Sequence, residues 1–259
     1  MTKIAVIGGS GFYDFLSDSI TKSIQTPFGQ VNVMTGTVVA QEVIFIPRHG
    51  TKHSIPPHQV NFKANIHALH QVGVERIFAS SAVGSCRLDF KPGDFLLLSS
   101  FLDLFQGSST TFFDGSTTIV GKDGTEISGV VHTDMSAPYC PELRELLLQS
   151  SASQGANLHP NGVYGMSRGP RFETPAEIEA LKRLGADVVG MTNVPEVVLA
   201  RELGICFATV AVVTNYAAGL QEQISHEEVT EVFNKRIKLL KSLLEGSIEN
   251  IPSDKQCKC

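Results

Sequence analysis

Residues 185–219 read GADVVGMTNVPEVVLARELGICFATVAVVTNYAAG, and the patterning inside this stretch decides the fold class. Positions 188–191 form a short apolar run, 194–203 carry a helical pattern, and 206–213 form a second, nearly continuous apolar run. Strands that are apolar at every position, not every second one, are covered on both faces. Strand, helix and strand in immediate succession argue for an α/β protein. Asn193, with Val194-Pro195-Glu196 behind it, offers a capping residue, an early proline and an acid in the first turn.

The same alternation extends in both directions. Strands are predicted over 3–7, 42–47, 76–80 and 94–99, and helices over 60–72, 141–154, 174–184 and 226–244. Thr174-Pro175-Ala176-Glu177 repeats the helix-start logic, and Ser225 with Glu228 is a capping-box match. The polar stretch 101–132, rich in Gly, Ser and Thr, reads as a hairpin or excursion. With no internal repeat and no linker, the expectation is one α/β domain over residues 1–250, built on a mostly parallel central sheet. Residues 251–259 are expected to form a flexible C-terminal tail.

Bulk properties narrow the function. The chain has 259 residues, is 42% apolar and 18% charged, and carries a net charge of -5 with both signs dispersed. No basic stripe or tail is present to neutralise a nucleic-acid backbone, so nucleic acid is not an expected partner. The opening MTKIAVIGG lacks the marks of a signal peptide. No apolar run reaches the roughly twenty residues needed to span a bilayer, so a cytoplasmic protein without a membrane partner is expected. Cys86, Cys140 and Cys206 stand apart in apolar surroundings and read as buried reduced thiols. Cys257 and Cys259 form a terminal CxC, but no second ligand pair is visible nearby, and no metal is expected.

Ligands of open α/β sheets collect beyond strand C-termini, so candidate chemistry is sought there. Gly8-Gly9-Ser10-Gly11 follows the first strand and offers backbone N–H groups and a hydroxyl, although a tight turn explains it equally well. Its spacing is not the dinucleotide GxGxxG, since Tyr13 stands where the last glycine belongs. Pro47-Arg48-His49-Gly50 supplies a guanidinium fork and an imidazole, both suited to phosphate oxygens. Ser80 to Ser85 is a run of small residues that exposes amides and hydroxyls. Phe172 and Glu173 offer a stacking ring and an acceptor. Met191 and Thr192 pair an apolar surface with a donor near a helix N-terminus. Asn215 carries both a donor and an acceptor, which suits a base with a ring nitrogen beside a carbonyl.

This set resembles the trimeric purine nucleoside and methylthioadenosine phosphorylase family, from GGSG through GADVVGMTNVPEVVLARELG and VVTNYAAG to ISHEEV. The resemblance implies a nucleoside phosphorylase fold: a single domain with a twisted, mixed, partly barrel-like sheet flanked by helices. It also implies a homotrimer whose partners are a purine nucleoside and phosphate. Phosphate is then a co-substrate held by Ser10, Arg48, His49, Ser81, Ala82 and Thr192, and no cofactor is required. Met191 lies by the ribose, Phe172 by the base or sugar, and His132 reaches a neighbouring subunit's site. Glu173 and Asn215 recognise the base, and with His49 they are the catalytic candidates.

Departures within the family select a branch. Adenine-recognising members carry Asp where this chain has Asn215 and again where it has Ala217. An amide donates to a carbonyl as a carboxylate cannot, so a 6-oxopurine such as hypoxanthine or guanine is implied. His226 matches a histidine that binds a 5′-hydroxyl, while methylthio-specific members are apolar there. The sequence therefore implies phosphorolysis of inosine and guanosine. S-methyl-5′-thioinosine phosphorylase, then S-methyl-5′-thioadenosine phosphorylase, are the alternatives.

Overall fold

The computed structural model describes residues 3–9, 11–12, 15–51, 54–104, 110–121 and 124–259. The chain opens with β1 (Lys3–Gly8), β2 (Ser17–Thr26), β3 (Gly29–Val38) and β4 (Gln41–Pro47). After a short 3₁₀ turn come α1 (Phe62–Gln71), β5 (Val74–Ser85), β6 (Phe95–Leu102), β7 (Thr118–Val120) and β8 (Glu126–Ser128). The second half runs α2 (Pro141–Ser153), β9 (Leu158–Met166), α3 (Pro175–Arg183), β10 (Val188–Gly190), α4 (Asn193–Glu202), β11 (Cys206–Tyr216) and α5 (His226–Glu249).

Nine strands form one sheet in the order β10-β9-β6-β11-β5-β1-β4-β3-β2. β10 pairs with β9 and also turns back to pair with β5, so β5, β11, β6, β9 and β10 close into a small barrel. The remaining strands extend from β5 as an open wing. β1, β4, β5 and β11 run parallel to one another, whereas β6 lies antiparallel to β11 and β10 antiparallel to β5. The sheet is therefore mixed: five of its pairings are parallel and four, including the β5–β10 seam that closes the barrel, are antiparallel.

Alternate strand residues feed two apolar layers. Ala5 and Ile7 of β1 join α1 and α4 through Ile66, Leu69, Val194 and Val197. Ile4 and Val6 point the other way, into a layer with Leu143 and Leu147 of α2 and Leu240, Leu243 and Leu244 of α5. A fully buried leucine or isoleucine contributes roughly 1.5–3 kcal/mol. That two-sided cover is why β1, β4 and β11 were legible as unbroken apolar runs.

The helix starts follow local chemistry. Thr174 accepts from Glu177 N–H while Glu177 reaches back to the Thr174 backbone, a complete capping box. Ser225 accepts from Glu228 N–H at 3.1 Å, but the Glu228 carboxylate takes a bond from Gln221 instead. Asn193 is not the cap of α4: Thr192 occupies that position. Asn193 is buried, accepting from Tyr139 Oη and donating to Thr209 Oγ1, so tertiary partners outcompete capping. The stretch 101–132 does contain a hairpin, β7 against β8. Residues 251–259, expected as a flexible tail, lie against the body of the protein, with Ile251, Cys257 and Cys259 packed on the α2/α5 layer.

Candidate active site

β1, β4, β5 and β11 point their C-terminal ends at one cavity of about 240 Å³, which the 167–174 loop, Met191, Thr192 and the first turns of α5 also line. Arg48 follows directly on β4, and its backbone N–H bonds Gly8 O, tying the ends of β4 and β1 together. The residue is 3% exposed. Nε and Nη2 donate to the two carboxylate oxygens of Glu196 at 2.5 and 2.8 Å, and Nη1 donates to Ser80 O at 3.0 Å. A guanidinium has five N–H groups, so two remain for a ligand in the cavity. Burial works against the Arg48 charge, yet the Glu196 carboxylate raises its pKa overall. The two-pronged geometry is that of an ionised pair.

Several neighbouring groups face the same space. His49 bonds Ile55 O through Nδ1 at 2.8 Å. A carbonyl accepts only, so in this contact Nδ1 carries the proton. Ser80 Oγ is buried without a partner among the described residues. Ala82 is the exposed residue in an otherwise covered run of β5 and opens onto the cavity beside Ser81. Thr192 makes no capping bond with its side chain, although it sits at the N-terminus of α4, where the helix dipole favours an anion. The first amides of α4 are satisfied by Tyr164 Oη, at 3.1 Å from Thr192 N and 3.4 Å from Asn193 N. That hydroxyl fits because residue 190 is glycine: a Cβ there would lie 2.3 Å from it.

Across the cavity, Glu173 is buried and its Oε1 has no partner among the described residues. Asn215 Oδ1 accepts from Thr214 Oγ1 and its Nδ2 donates to Tyr216 O, both at 2.9 Å, which fixes the amide and leaves one N–H and one lone pair unused. Phe172 lines the same space and is 38% exposed. Met191 is held by Gly169, whose φ of +62° suits glycine and where a Cβ would sit 2.5 Å from the Met191 sulfur. Ala217 is buried behind Gly84, outside the cavity wall.

The structure thus gathers Arg48, His49, Ser81, Ala82, Phe172, Glu173, Met191, Thr192, Asn215 and His226 around one space. Ser10 lies outside the described residues, though Gly9 beside it lines the cavity. His132 is exposed and does not line the cavity of its own protomer. His226 is the first residue of α5, exposed and on the cavity rim, so a helix-start position and a ligand-facing one coincide. Two strands run further than the predicted 76–80 and 206–213. Ser80 to Ser85 is the second half of β5, and Thr214 to Tyr216 is the end of β11; the two strands pair throughout. Sequence reasoning saw Glu196 only as a first-turn acid. Its setting among Val194, Pro195, Val197 and Val198 was the available sign that it is buried and must be paired.

Residues 3–249 match the phosphorylase superfamily. The chain belongs to this family. It is 47% identical over 260 residues to a probable 6-oxopurine nucleoside phosphorylase of Moorella thermoacetica, covering 99% of this chain and 96% of that one. It is 46% identical to the 6-oxopurine nucleoside phosphorylase of Pyrococcus furiosus, over 100% of this chain and 97% of the relative. Among solved structures, methylthioadenosine phosphorylase from Schistosoma mansoni in complex with adenine superimposes with a TM-score of 0.87 at 32% identity, covering 96% and 91% of the two chains. The barrel-and-wing architecture is therefore the fold of nucleoside phosphorylases.

Proposed function

We propose that this phosphorylase cleaves 6-oxopurine nucleosides, inosine and guanosine, with inorganic phosphate to give the free base and ribose 1-phosphate. One observation carries the reading: Glu173, whose Oε1 is unpartnered among the described residues, and the fixed Asn215 amide face the same cavity as Arg48 and Thr192. A base edge and an anion are accommodated together.

In this reading phosphate is held by Arg48, His49, the Ser81-Ala82 segment, Thr192 and Ser10. Glycosidic bond breaking runs ahead of phosphate attack, and the sugar acquires oxocarbenium character. Phosphate supplies negative charge to the sugar as well as the nucleophile, and preorganised donors fix its position. On the other side, electron density flows into the purine. Asn215 bonds N7 as it gains a proton, while Glu173 accepts the N1–H. Phe172 covers the base or sugar and Met191 the ribose. No metal or organic cofactor enters the reaction.

The 5′ end rests on His226. An imidazole on the cavity rim supports a 5′-hydroxyl over a methylthio group, and the S-methyl-5′-thioinosine reaction is the second reading. His132, exposed and not lining its own cavity, supports a homotrimer in which it completes a neighbour's site. No helix among the described residues is long and apolar enough to cross a membrane. All five cysteines are free thiols, which supports a reducing, cytoplasmic setting.

Inosine and methylthioinosine, each incubated with phosphate and with a phosphate-free blank, test the proposal. Hypoxanthine and ribose 1-phosphate formed from inosine only when phosphate is present is the expected result. Faster methylthioinosine cleavage moves the enzyme to thionucleoside salvage, and phosphate-independent release excludes phosphorolysis.

A further inference from the structure

Four of the five cysteines meet at a point far from the cavity. Cys140 precedes α2, Cys206 begins β11, and Cys257 and Cys259 come from the C-terminal segment; their sulfurs all lie within 4.8 Å of one another. Cys257 Sγ is 3.5 Å from Cys140 Sγ and 3.1 Å from Cys206 Sγ. Four thiolates around a tetrahedral zinc ion, each about 2.3 Å from the metal, have sulfurs about 3.8 Å apart. The CxC pair therefore finds in the fold the second ligand pair that its sequence neighbourhood lacks.

The surroundings fix this arrangement from several sides. Cys140 N–H donates to Phe207 O at 2.8 Å, holding the start of α2 beside the start of β11. Glu142, in the first turn of α2, takes two bonds from Arg76 and one from Gln256 N–H, which anchors the residue before Cys257. Lys255 Nζ bonds both Gly204 O and Cys259 O, at 2.9 and 3.0 Å, bracketing the pair from the other side. Cys140 and Cys206 are buried and the other two half-buried, so an ion would be shielded yet reachable from the surface. Cys206 and Asn215 lie at opposite ends of β11, about 30 Å apart at about 3.3 Å per residue, so this cluster is separate from the reacting centre.

We infer that Cys140, Cys206, Cys257 and Cys259 form a structural site for a thiophilic divalent cation of the zinc class, which clips the C-terminal segment onto α2 and β11. Binding transfers the thiol protons to solvent and leaves a doubly negative tetrathiolate centre, beside Lys255 on the same segment. Its role is to stabilise the protomer; it takes no part in phosphorolysis.

The test is metal analysis of the whole protein, purified under reducing, chelator-free conditions and supplied with Zn²⁺. About one zinc per chain is expected, with cobalt substitution giving the thiolate-to-cobalt absorption of a tetrahedral sulfur site. Alkylation of the native protein should spare Cys257 and Cys259 until a chelator is added. A Cys257→Ser, Cys259→Ser double variant should lose the metal and melt at a lower temperature while keeping its turnover at 25 °C, and Cys86→Ser should keep the metal. A reduced protein that takes up no zinc, or alkylation that ignores the chelator, overturns the inference. So does an intact mass showing these four cysteines paired as two disulfides in protein kept under reducing conditions.

Discussion

Glu196 holds Arg48 with both carboxylate oxygens, in a place where the two side chains are 1% and 2% exposed. The guanidinium is thereby kept charged, planar and aimed, with two of its five N–H groups left over. Burial alone would disfavour its charge; the partner reverses that. Glu196 thus positions the residue proposed to hold phosphate without facing the substrate as its main partner. Glu196→Gln leaves Arg48 buried beside a neutral amide, and breaking such a pair costs roughly 3–5 kcal/mol. The expected outcome is a lower melting temperature and a raised KM for phosphate, with KM for nucleoside nearly unchanged. Equal increases in both constants would deny Glu196 this role.

Asn215→Ala removes the hydrogen-bond partner proposed for N7. Comparable losses cost about 2.7–4 kcal/mol of barrier, so kcat for inosine should fall roughly 10²–10³-fold. The stability cost is that of its two hydrogen bonds, each about 0.5–1.5 kcal/mol, so the variant should fold. Steady-state kinetics beside a thermal melt separate the two effects.

Glu173→Gln acts in the opposite sense on stability. The free protein buries Glu173 with one oxygen unpartnered, an arrangement that costs free energy in the absence of ligand. An amide relieves the charge, so the melting temperature should stay level or rise while inosine turnover falls by at least about tenfold. A lower melting temperature with intact turnover would show Glu173 to be a structural acid.

The capping box of α3 gives a pH dependence. Arg171, then the Thr174 backbone, depress the Glu177 carboxyl from 4.5 to about 2. A depressed carboxyl contributes stability that is complete above its unfolded value and lost as pH falls through the folded one. The contribution should therefore hold above about pH 5 and vanish toward pH 2. Because the group is near the surface, its size is that of a cap, about 1 kcal/mol or less. The melting-temperature gap between the wild type and Glu177→Gln should close as pH falls across that window. A constant gap would locate the effect elsewhere.

Much of this molecule was legible in its sequence because burial is two-sided. β1, β4 and β11 are covered on both faces and read as continuous apolar runs, and Thr174 and Ser225 marked helix starts by their own hydroxyls. What escaped was set by partners distant in sequence. β2 is an exposed, polar edge strand paired with β3 alone, so no apolar period announces it. β3 shows only the alternation of Val31 and Val33. β9 contains Pro160-Asn161-Gly162, which reads as a turn; in the barrel it is an irregular strand, packed so closely that a Cβ at Gly162 would meet Leu96 at 3.0 Å. The binding candidates were found by residue type after apolar runs. The Arg48–Glu196 pair and the four-cysteine cluster arise from chain crossings that no local pattern encodes.

The most direct test of the account is the ratio of kcat/KM for inosine to that for adenosine at one fixed phosphate concentration. In the proposed reading Glu173 and Asn215 together bind a ring N–H and a 6-carbonyl, and a buried site built for such groups rejects an analogue that lacks them. Inosine should therefore be preferred by at least about a hundredfold. Adenosine cleaved as well as inosine, or better, would contradict the 6-oxopurine assignment.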